Sequence, residues 1–521
     1  VEPDLLKENM PFWENKSRMP DPSDRSRQGS RSTSLAFFIP HRPGLWLLAA
    51  GILLILLIIY GFTLAPGLSW ANGGTDGGDL ITAAATGGVP HPGGFPLYLL
   101  LARGFQLILP GDLAWRTNML SAICTSLAAA ILFFLSNRVS GRRAFSGLAS
   151  WSAALAFGLA PLVWSQAVIT EVYGLQALLT AVILFQATGE ETKWNGNFLR
   201  GLTVGLAIGC HLISILLLPL LFWDGKAVCR DLKKHIGRRF IGVLAGLSVY
   251  LLLPVRALGH PPVNWGNPVT PQAFFDLVSG SIYRSNFTMV YSFERLRGLS
   301  GILIDQAGLI GLFLAVFFLA GNRVNFTRMI PFFWIFISHA IFTLVYGSFD
   351  SYVYLIPAVM VYLFWAAAGL QEIIEFCVAR CRFAWFPVGL LIISLLIWHG
   401  SQTLPAVDAS YDLRAEKFGQ EAVRSLPRDA LAFTADDESS FTLWYYHFAL
   451  KQRPDIAVVV EGLLPYGWYQ QTLEFTYPGL QFPTGEDWTA VAIAQANPQR
   501  PACSLAGHGA TTITCSGRQN P

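Results

Sequence analysis

The stretch TDGGDLITAAATGGVPHPGG, residues 75–94, sets two carboxylates and a histidine among glycines and prolines. Asp76 and Asp79 stand three residues apart. If Asp79 opens a helix, its carboxylate meets the free N–H groups of the first turn and acts as a cap. Asp76 has no such structural task. It lies among Gly73, Gly74, Gly77 and Gly78, where the backbone can turn sharply and let other groups approach closely. A carboxylate held there can serve as a general base or bind a cation; a plain loop-and-cap motif is the alternative. His91 lies between Pro90 and Pro92, so its backbone is restricted. Its ring can donate to a phosphate, orient Asp76, or simply face water.

Further charged residues sit within or beside apolar runs, where charge is costly and points to function. Glu171, in VWSQAVITEVYGLQ, is the clearest. Arg116 and Asn118 begin the segment after the motif, and Arg256 closes the apolar run 240–256. A guanidinium offers a planar fork of donors suited to phosphate. A pocket with Arg116 and Arg256 near Asp76 would hold an anionic headgroup beside a base, while snorkelling at the interface is the competing reading. The stretch 257–300 adds Trp265, Tyr283 and Arg284 as a platform for sugar or phosphate, unless its aromatics form an interfacial belt. Asp350 and Tyr354 are four apart on one helical face, and a helix cap explains Asp350 nearly as well.

These residues need a membrane frame. Of 521 residues 53% are hydrophobic and only 13% charged, and the mean hydropathy is +0.45. Soluble domains carry about 25% charge. Several runs reach the roughly 20 apolar residues that cross a bilayer. The chain therefore reads as a polytopic α-helical membrane protein, and no Lys/Arg-rich surface for nucleic acid stands out. Residues 1–44 read as a disordered cytoplasmic tail. The apolar run Leu45–Leu64 is too long and too late for a cleavable signal, so it reads as a retained first span.

Lys and Arg near span ends favour the cytoplasm. Basic stretches at 137–143, 226–239 and 322–328, and the turn at Arg380 and Arg382, join the tail on that side. The first span then leads out. The loops 66–92 and 257–300 lie outside, with a short apolar helix over 93–110. Spans follow near 113–136, 240–256, 302–320, 329–347, 352–371 and 384–400. Between 145 and 223, three full spans would put the basic stretch 226–239 on the wrong side. Either one segment is re-entrant or one is a broken hairpin; a short hairpin over 198–223, which holds Gly201, Gly205, Gly209, His211 and Pro219, is the favoured reading.

The membrane domain thus covers 45–400. Residues 401–521 read as an extracytoplasmic soluble α/β domain, with strands near DALAFT and DIAVVVE and a helix entered at Asp436–Ser439. Cys503 and Cys515 fall in this outer domain, where a disulfide can form. Cys229, Cys377 and Cys381 fall on the inside. The last two, four residues apart, lack companion ligands for zinc.

DGGDLITAAATGGVPHPGGFPLYLLLAR, RTNMLSA, SQAVITEVYGLQAL, GLAIGCHLISILLLP, VNWGNPVTPQAFFDLVSG and FDSYVYLIP together resemble the bacterial DUF2723-type membrane protein family. That family is grouped with the GT-C glycosyltransferases and is related to an animal endoplasmic-reticulum protein O-mannosyltransferase. The resemblance covers about residues 45–375. It implies a GT-C type membrane domain, a sugar donor carried on a polyprenyl phosphate, and a bacterial plasma membrane setting. By position Asp76 matches the family's first-loop catalytic carboxylate, and Asp79 stands where the family often has glutamate. His91, Arg116, Glu171, Trp265, Asp350 and Tyr354 fall within recurring motifs. Where the family often has two histidines, this chain has Cys210–His211, which leaves that position without an assigned role.

The expected chemistry is transfer of a lipid-linked sugar to a hydroxyl of a protein, glycan or lipid, with Asp76 as base and Arg116 or Arg256 on the phosphate. Mg²⁺ or Mn²⁺ at Asp76 and Asp79 is an open possibility, although oxygen-ligand sites usually want more groups than this loop shows. Two rival classes remain. A transporter or flippase of a lipid-linked sugar should show internal repeats, and none is evident. The other is a non-enzymatic envelope glycan assembly or binding protein.

Overall fold

The computed structural model describes residues 43–141, 145–189, 194–224, 227–228, 232–287, 293–321, 326–348, 350–485, 487–507 and 511–516. Nearly all of the predicted tail and Cys229 lie outside these residues. Pro43–Pro521 forms one compact unit.

The chain enters α1 (Pro43–Thr63), whose 21 residues span about 31 Å at 1.5 Å per residue. A 3-10 turn over Ala71–Asp76 leads into α2 (Gly77–Thr86). Then come α3 (Pro96–Ile108) and α4 (Leu113–Ser140), the latter capped by Asp112, which accepts from the N–H groups of Ala114 and Trp115. Next are α5 (Ser146–Leu159), α6 (Pro161–Ala167), α7 (Tyr173–Ala187) and α8 (Trp194–Cys210). A 3-10 segment, Leu212–Phe222, runs into the short ladder of β1 (Trp223–Asp224) and β2 (Ala227–Val228). The remainder of the membrane part is α9 (Leu232–Leu247), α10 (Leu252–Ala257), α11 (Pro271–Ser279), α12 (Phe293–Asp305), α13 (Gly308–Ala320), α14 (Phe326–Val345), α15 (Ile356–Arg380) and α16 (Trp385–Val407).

Among the described residues six helices are long and apolar enough to cross a membrane, or up to eight if each bent pair is one span. The bent pairs are α5–α6, at 62°, and α12–α13, at 98°. Pro161 begins α6, where the missing N–H of proline does no harm, and so fixes the first bend. The single span expected near 302–320 is therefore the second of these bent pairs. The last helix continues to Val407, seven residues past the predicted end at 400.

Side-chain contacts sort the helix ends into two faces. On one face Arg138 of α4 donates to the Phe185 carbonyl at 2.8 Å, and Arg200 and Arg239 both pair with Asp224. On the other face Asn118 donates to the Ala65 and Gly67 carbonyls, each at 3.0 Å, and the Ser121 hydroxyl donates to the Glu171 carbonyl at 3.0 Å. Arg200 lies near the start of α8 yet meets Asp224, so the chain turns at His211 and comes back. That is the hairpin, favoured over a re-entrant segment. It is clamped by α9: a Cβ on Gly205 would overlap the Val243 carbonyl and approach Gly246 to 2.9 Å, so only glycine allows these two helices to lie so close.

The C-terminal domain holds α17 (Arg414–Ser425), β3 (Leu431–Thr434), α18 (Asp437–Trp444), β4 (Ala457–Val460), α19 (Gly467–Thr476), α20 (Ala490–Ala496), β5 (Ala502–Ala506) and β6 (Thr512–Ser516). The strand order is β4-β3-β5-β6, with β3 parallel to both neighbours and β6 antiparallel to β5. LAFT and AVVV are buried along their whole length, as strands covered on both sides must be. Asp436 caps α18 by accepting from the Ser439 N–H at 2.8 Å, at the predicted helix entry. A disulfide joins Cys503 to Cys515 across β5 and β6.

This domain sits directly on the loop that follows α1. The Trp70 indole N–H donates to the Thr442 hydroxyl at 3.2 Å, and the Ser69 hydroxyl donates to Asp412 at 2.7 Å. The Tyr445 hydroxyl donates to Asp112 at 3.1 Å. At the start of α2, a Cβ on Gly78 would come within 2.5 Å of the Phe441 carbonyl, so the seat exists because residue 78 has no side chain.

Candidate functional site

The loop bearing Asp76 is built to expose it. Asn72 and Gly73 adopt left-handed backbone, at φ 56° and 77°, and turn the chain into α2. Asp76 precedes α2 but makes no capping hydrogen bond. Its side chain remains 40% exposed, and its carboxylate lies 3.5 Å from His91 Nε2.

Asp79 behaves differently. It occupies the first turn of α2, is wholly buried, and is not the helix cap the sequence suggested. Its Oδ2 accepts from the His91 backbone N–H at 2.9 Å and meets His91 Nδ1 at 2.8 Å. Its Oδ1 accepts from the Trp265 indole N–H at 3.2 Å. An ionised carboxylate only accepts, so His91 carries a proton on Nδ1 and turns Nε2 toward Asp76.

The two outer loops are joined to make this possible. The Val89 N–H donates to the Val263 carbonyl at 2.9 Å, and the Trp265 N–H donates to the Val89 carbonyl at 3.1 Å. That pairing carries Trp265 to Asp79 across a separation of 186 residues.

Burial drives the Asp76 carboxyl above its ordinary range, and His91 opposes that rise while Asp79, Asp350 and Asp437 add to it. For His91, burial alone would favour the neutral ring. The Asp76 charge and the Asp79 hydrogen bond outweigh it and raise the imidazole to about 9. His91 is therefore a cation at neutral pH, held between two carboxylates. Asp437, in the first turn of α18, is raised by burial and lies within reach of the His91 and Asp79 charges. Burial also raises the Tyr283 hydroxyl, with Asp76, Asp79 and Asp437 adding to the rise.

Glu171 occupies the break between α6 and α7, nearly buried, with one oxygen accepting the Val172 N–H at 3.2 Å. Its carboxyl lies close enough to act on His91. Asp350 precedes a 3-10 turn, Ser351–Leu355, and provides no cap; among the described residues its carboxylate has no hydrogen bond. Tyr354 packs against Tyr173, His211, Phe342 and Tyr346. The structure thus brings Asp76, Asp79, His91 and Trp265 into contact, with Glu171, Tyr283, Asp350 and Tyr354 around them.

The arginines separate. Arg116, predicted on phosphate, donates instead to the Gln106 carbonyl at 2.6 Å and twice to the Gly111 carbonyl, closing the turn between α3 and α4. Arg256 reaches the motif loop, where Nη1 donates to the Gly88 carbonyl at 3.0 Å. Arg284 lies exposed on a 3-10 turn, Ser281–Asn286. Sequence reasoning passed over Asp437 and Phe95 and gave no role to His211. The signal for His211 was its place between two apolar helices. Asp437 was marked only as one acid of an acidic helix entry.

A divalent ion between Asp76 and Asp79 does not fit. Both Asp79 oxygens face N–H donors, and among the described residues no grouping of three or more His, Cys, Asp or Glu could hold a metal.

Comparison with known proteins corrects one expectation. The family model that matches residues 76–225 is the Protein O-mannosyl-transferase TMEM260 N-terminal domain, not the bacterial DUF2723-type family. Two curated relatives carry the same name. The mouse protein is 24% identical over 461 residues, covering 80% of this chain and 63% of its own length. The Dictyostelium discoideum protein is 24% identical over 491 residues, covering 82% of this chain and 58% of its own. The chain thus spans about three-fifths of the length of the relatives it matches. Among solved structures, ArnT from Cupriavidus metallidurans bound to undecaprenyl phosphate superposes with a TM-score of 0.51 at 14% identity, covering 86% of this chain and 97% of that one. The fold is that of a polytopic GT-C-like membrane protein with a C-terminal, non-barrel domain containing β-strands.

Proposed function

We propose that this chain transfers a sugar from a polyprenyl-phosphate donor to a hydroxyl acceptor, with Asp76 as general base. The observation that carries this reading is the row Asp79–His91–Asp76. A buried carboxylate fixes an imidazolium, and the imidazolium faces an open carboxylate at 3.5 Å. The cation opposes the rise that burial imposes on Asp76 and so favours its basic, ionised form.

The acceptor hydroxyl gives its proton to Asp76 while its oxygen bonds to the anomeric carbon. The bond from that carbon to the phosphate oxygen breaks, and polyprenyl phosphate leaves with the electron pair. A single displacement inverts the anomeric centre. Arg256, fixed on the motif loop, is the cation proposed for the phosphate. The basic ends on the Asp224 face support a cytoplasmic side there, which puts Asp76 and the C-terminal domain outside the cytoplasm. The names of the TMEM260 relatives make mannose the first sugar to try and a protein hydroxyl the first acceptor. The ArnT likeness supports a lipid-phosphate carrier.

The test is transfer from undecaprenyl-phosphate and dolichyl-phosphate sugars by the full chain in nanodiscs, with D76N alongside. Transfer by wild type and none by folded D76N is expected. Donor binding without transfer, equal in both, would overturn the enzyme reading in favour of a carrier.

A further inference from the structure

His211 breaks the chain between α8 and the 3-10 segment Leu212–Phe222, with extended backbone at φ −155° and ψ 133°. Its ring nitrogen Nδ1 accepts the Ile213 backbone N–H at 3.2 Å. A backbone N–H can only donate, so Nδ1 is unprotonated and the neutral ring carries its hydrogen on Nε2. That Nε2–H has no partner among the described residues, and the residue is part-exposed.

Three rings from three elements hold the imidazole. Phe95 lies 5.5 Å away, Tyr173 5.8 Å and Tyr354 5.5 Å, centre to centre. Phe95 reaches this place at φ 38° and ψ 46°, a left-handed conformation that a bulky side chain rarely adopts. Such a residue persists only where its surroundings require it, and these positions gather at binding sites. Its ring also lies 4.9 Å from His91, so the aromatic group adjoins the proposed base.

Near the rings, among the described residues, carboxyl groups outnumber the one cation, His91, which adjoins Phe95. Asp76, Glu171 and Asp350 act on Tyr173, and Asp350 and Asp76 act on Tyr354. The arginine proposed for the phosphate is elsewhere, on the Gly88 carbonyl. Surroundings richer in carboxyl groups than in cations do not suit a phosphate or a uronate. They suit an uncharged ring whose hydroxyls donate to carboxylates, whose C–H face lies on aromatic walls, and one of whose oxygens accepts from an imidazole N–H. Sites lined by aromatic groups with a few placed polar atoms are the usual form for small ligands.

We infer that His211, with Phe95, Tyr173 and Tyr354, seats the transferred sugar, an uncharged hexose, by donating Nε2–H to one of its oxygens. This rests on the glycosyl-transfer reading. It divides the donor between two places, with the phosphate toward Arg256 and the hexose against the rings.

The experiment measures binding of undecaprenyl-phosphate mannose and of bare undecaprenyl phosphate to the full chain in nanodiscs, wild type against His211→Asn. Asparagine is a strong helix N-cap and can still accept the Ile213 N–H, but it cannot place a donor where Nε2–H stands. Thermal unfolding should therefore be unchanged. Loss of one hydrogen bond predicts about tenfold weaker binding of the mannose lipid, with the bare lipid unaffected. Equal weakening of both lipids, or no weakening of either, would overturn the sugar seat alone. Failure of the wild-type chain to bind either lipid would overturn the seat together with the reading it rests on.

Discussion

Two buried charge clusters lie at opposite faces of the membrane domain, and they are finished to different degrees. At the Asp224 face, Arg239 is wholly buried and each arm of its guanidinium is met. Nε donates to Asn197 at 2.8 Å, Nη2 donates to Asp224 at 2.6 Å, and Nη1 donates to the Leu221 carbonyl. Asn197 in turn meets His235 at 3.1 Å, and Arg200 shares Asp224. Among the described residues, the open carboxylate at the Asp76 face meets only His91, at 3.5 Å, and Asp350 has no hydrogen bond. A completed network fixes helices against one another. Carboxylates left open at the edge of a buried cluster are free to meet a ligand, whereas those of a completed network are not.

The largest expected effect belongs to the open cluster. D76N should lower turnover by about 10²- to 10⁴-fold, the usual contribution of a general base, and should cost less stability than loss of Asp224. The closed cluster should respond the other way. Asp224→Asn removes a carboxylate shared by two guanidinium groups and should cost about 3 kcal/mol of stability, read by denaturation in detergent. Per folded molecule, its turnover should match wild type. If D224N lowered the rate and D76N cost the more stability of the two, the contrast between the clusters would be gone.

His91 belongs to the open cluster but is tied to the closed kind of bonding through Asp79, so its removal should show both signatures in smaller measure. Its imidazole is raised to about 9, against about 6.5 in an unfolded chain. The stability it supplies is fully present below about 6.5 and is lost as pH rises through about 9. His91→Gln should flatten that loss. The same change removes the cation that opposes the rise of Asp76, so the acid limb of the rate profile should move to higher pH. An unmoved limb, with the protein folded, would show that His91 acts on Asp76 only as packing.

What was legible in the sequence follows from how each contact is made. The spans were readable because apolar length is a local property. Parity of the basic ends called for a hairpin or a re-entrant segment between 145 and 223 without fixing its turn at His211, and the β3–α18 entry followed from an Asp three residues before Ser439. Asp76 stood out because the glycines around it leave a carboxylate without a structural task. The role of Asp79 was not legible, because its partner Trp265 arrives through a pairing of loops 186 residues apart. Nor was the seat of the C-terminal domain, which depends on the empty Cβ position of Gly78 meeting a backbone carbonyl of Phe441. The spacing of charges along the chain carries no record of such meetings.

Arg116 and Arg256 make the smallest and sharpest test of the same contrast. Both are arginines at the edge of an apolar segment, and the sequence offered both for phosphate. Arg116 places three nitrogens on two backbone carbonyls, those of Gln106 and Gly111, and so belongs with the closed kind of site. Arg256 gives one nitrogen to Gly88, on the loop that carries His91, and so belongs with the open kind. Arg116→Met should cost about 1.5 kcal/mol of stability through lost charge-assisted hydrogen bonds and leave affinity for undecaprenyl phosphate unchanged. Arg256→Met should weaken that affinity about tenfold, the loss expected of one charge-assisted contact to phosphate. Were Arg116→Met the variant that lost the lipid, a guanidinium fully engaged by the backbone would still be serving a ligand, and the degree to which a buried charge is satisfied would no longer separate structure from function in this fold.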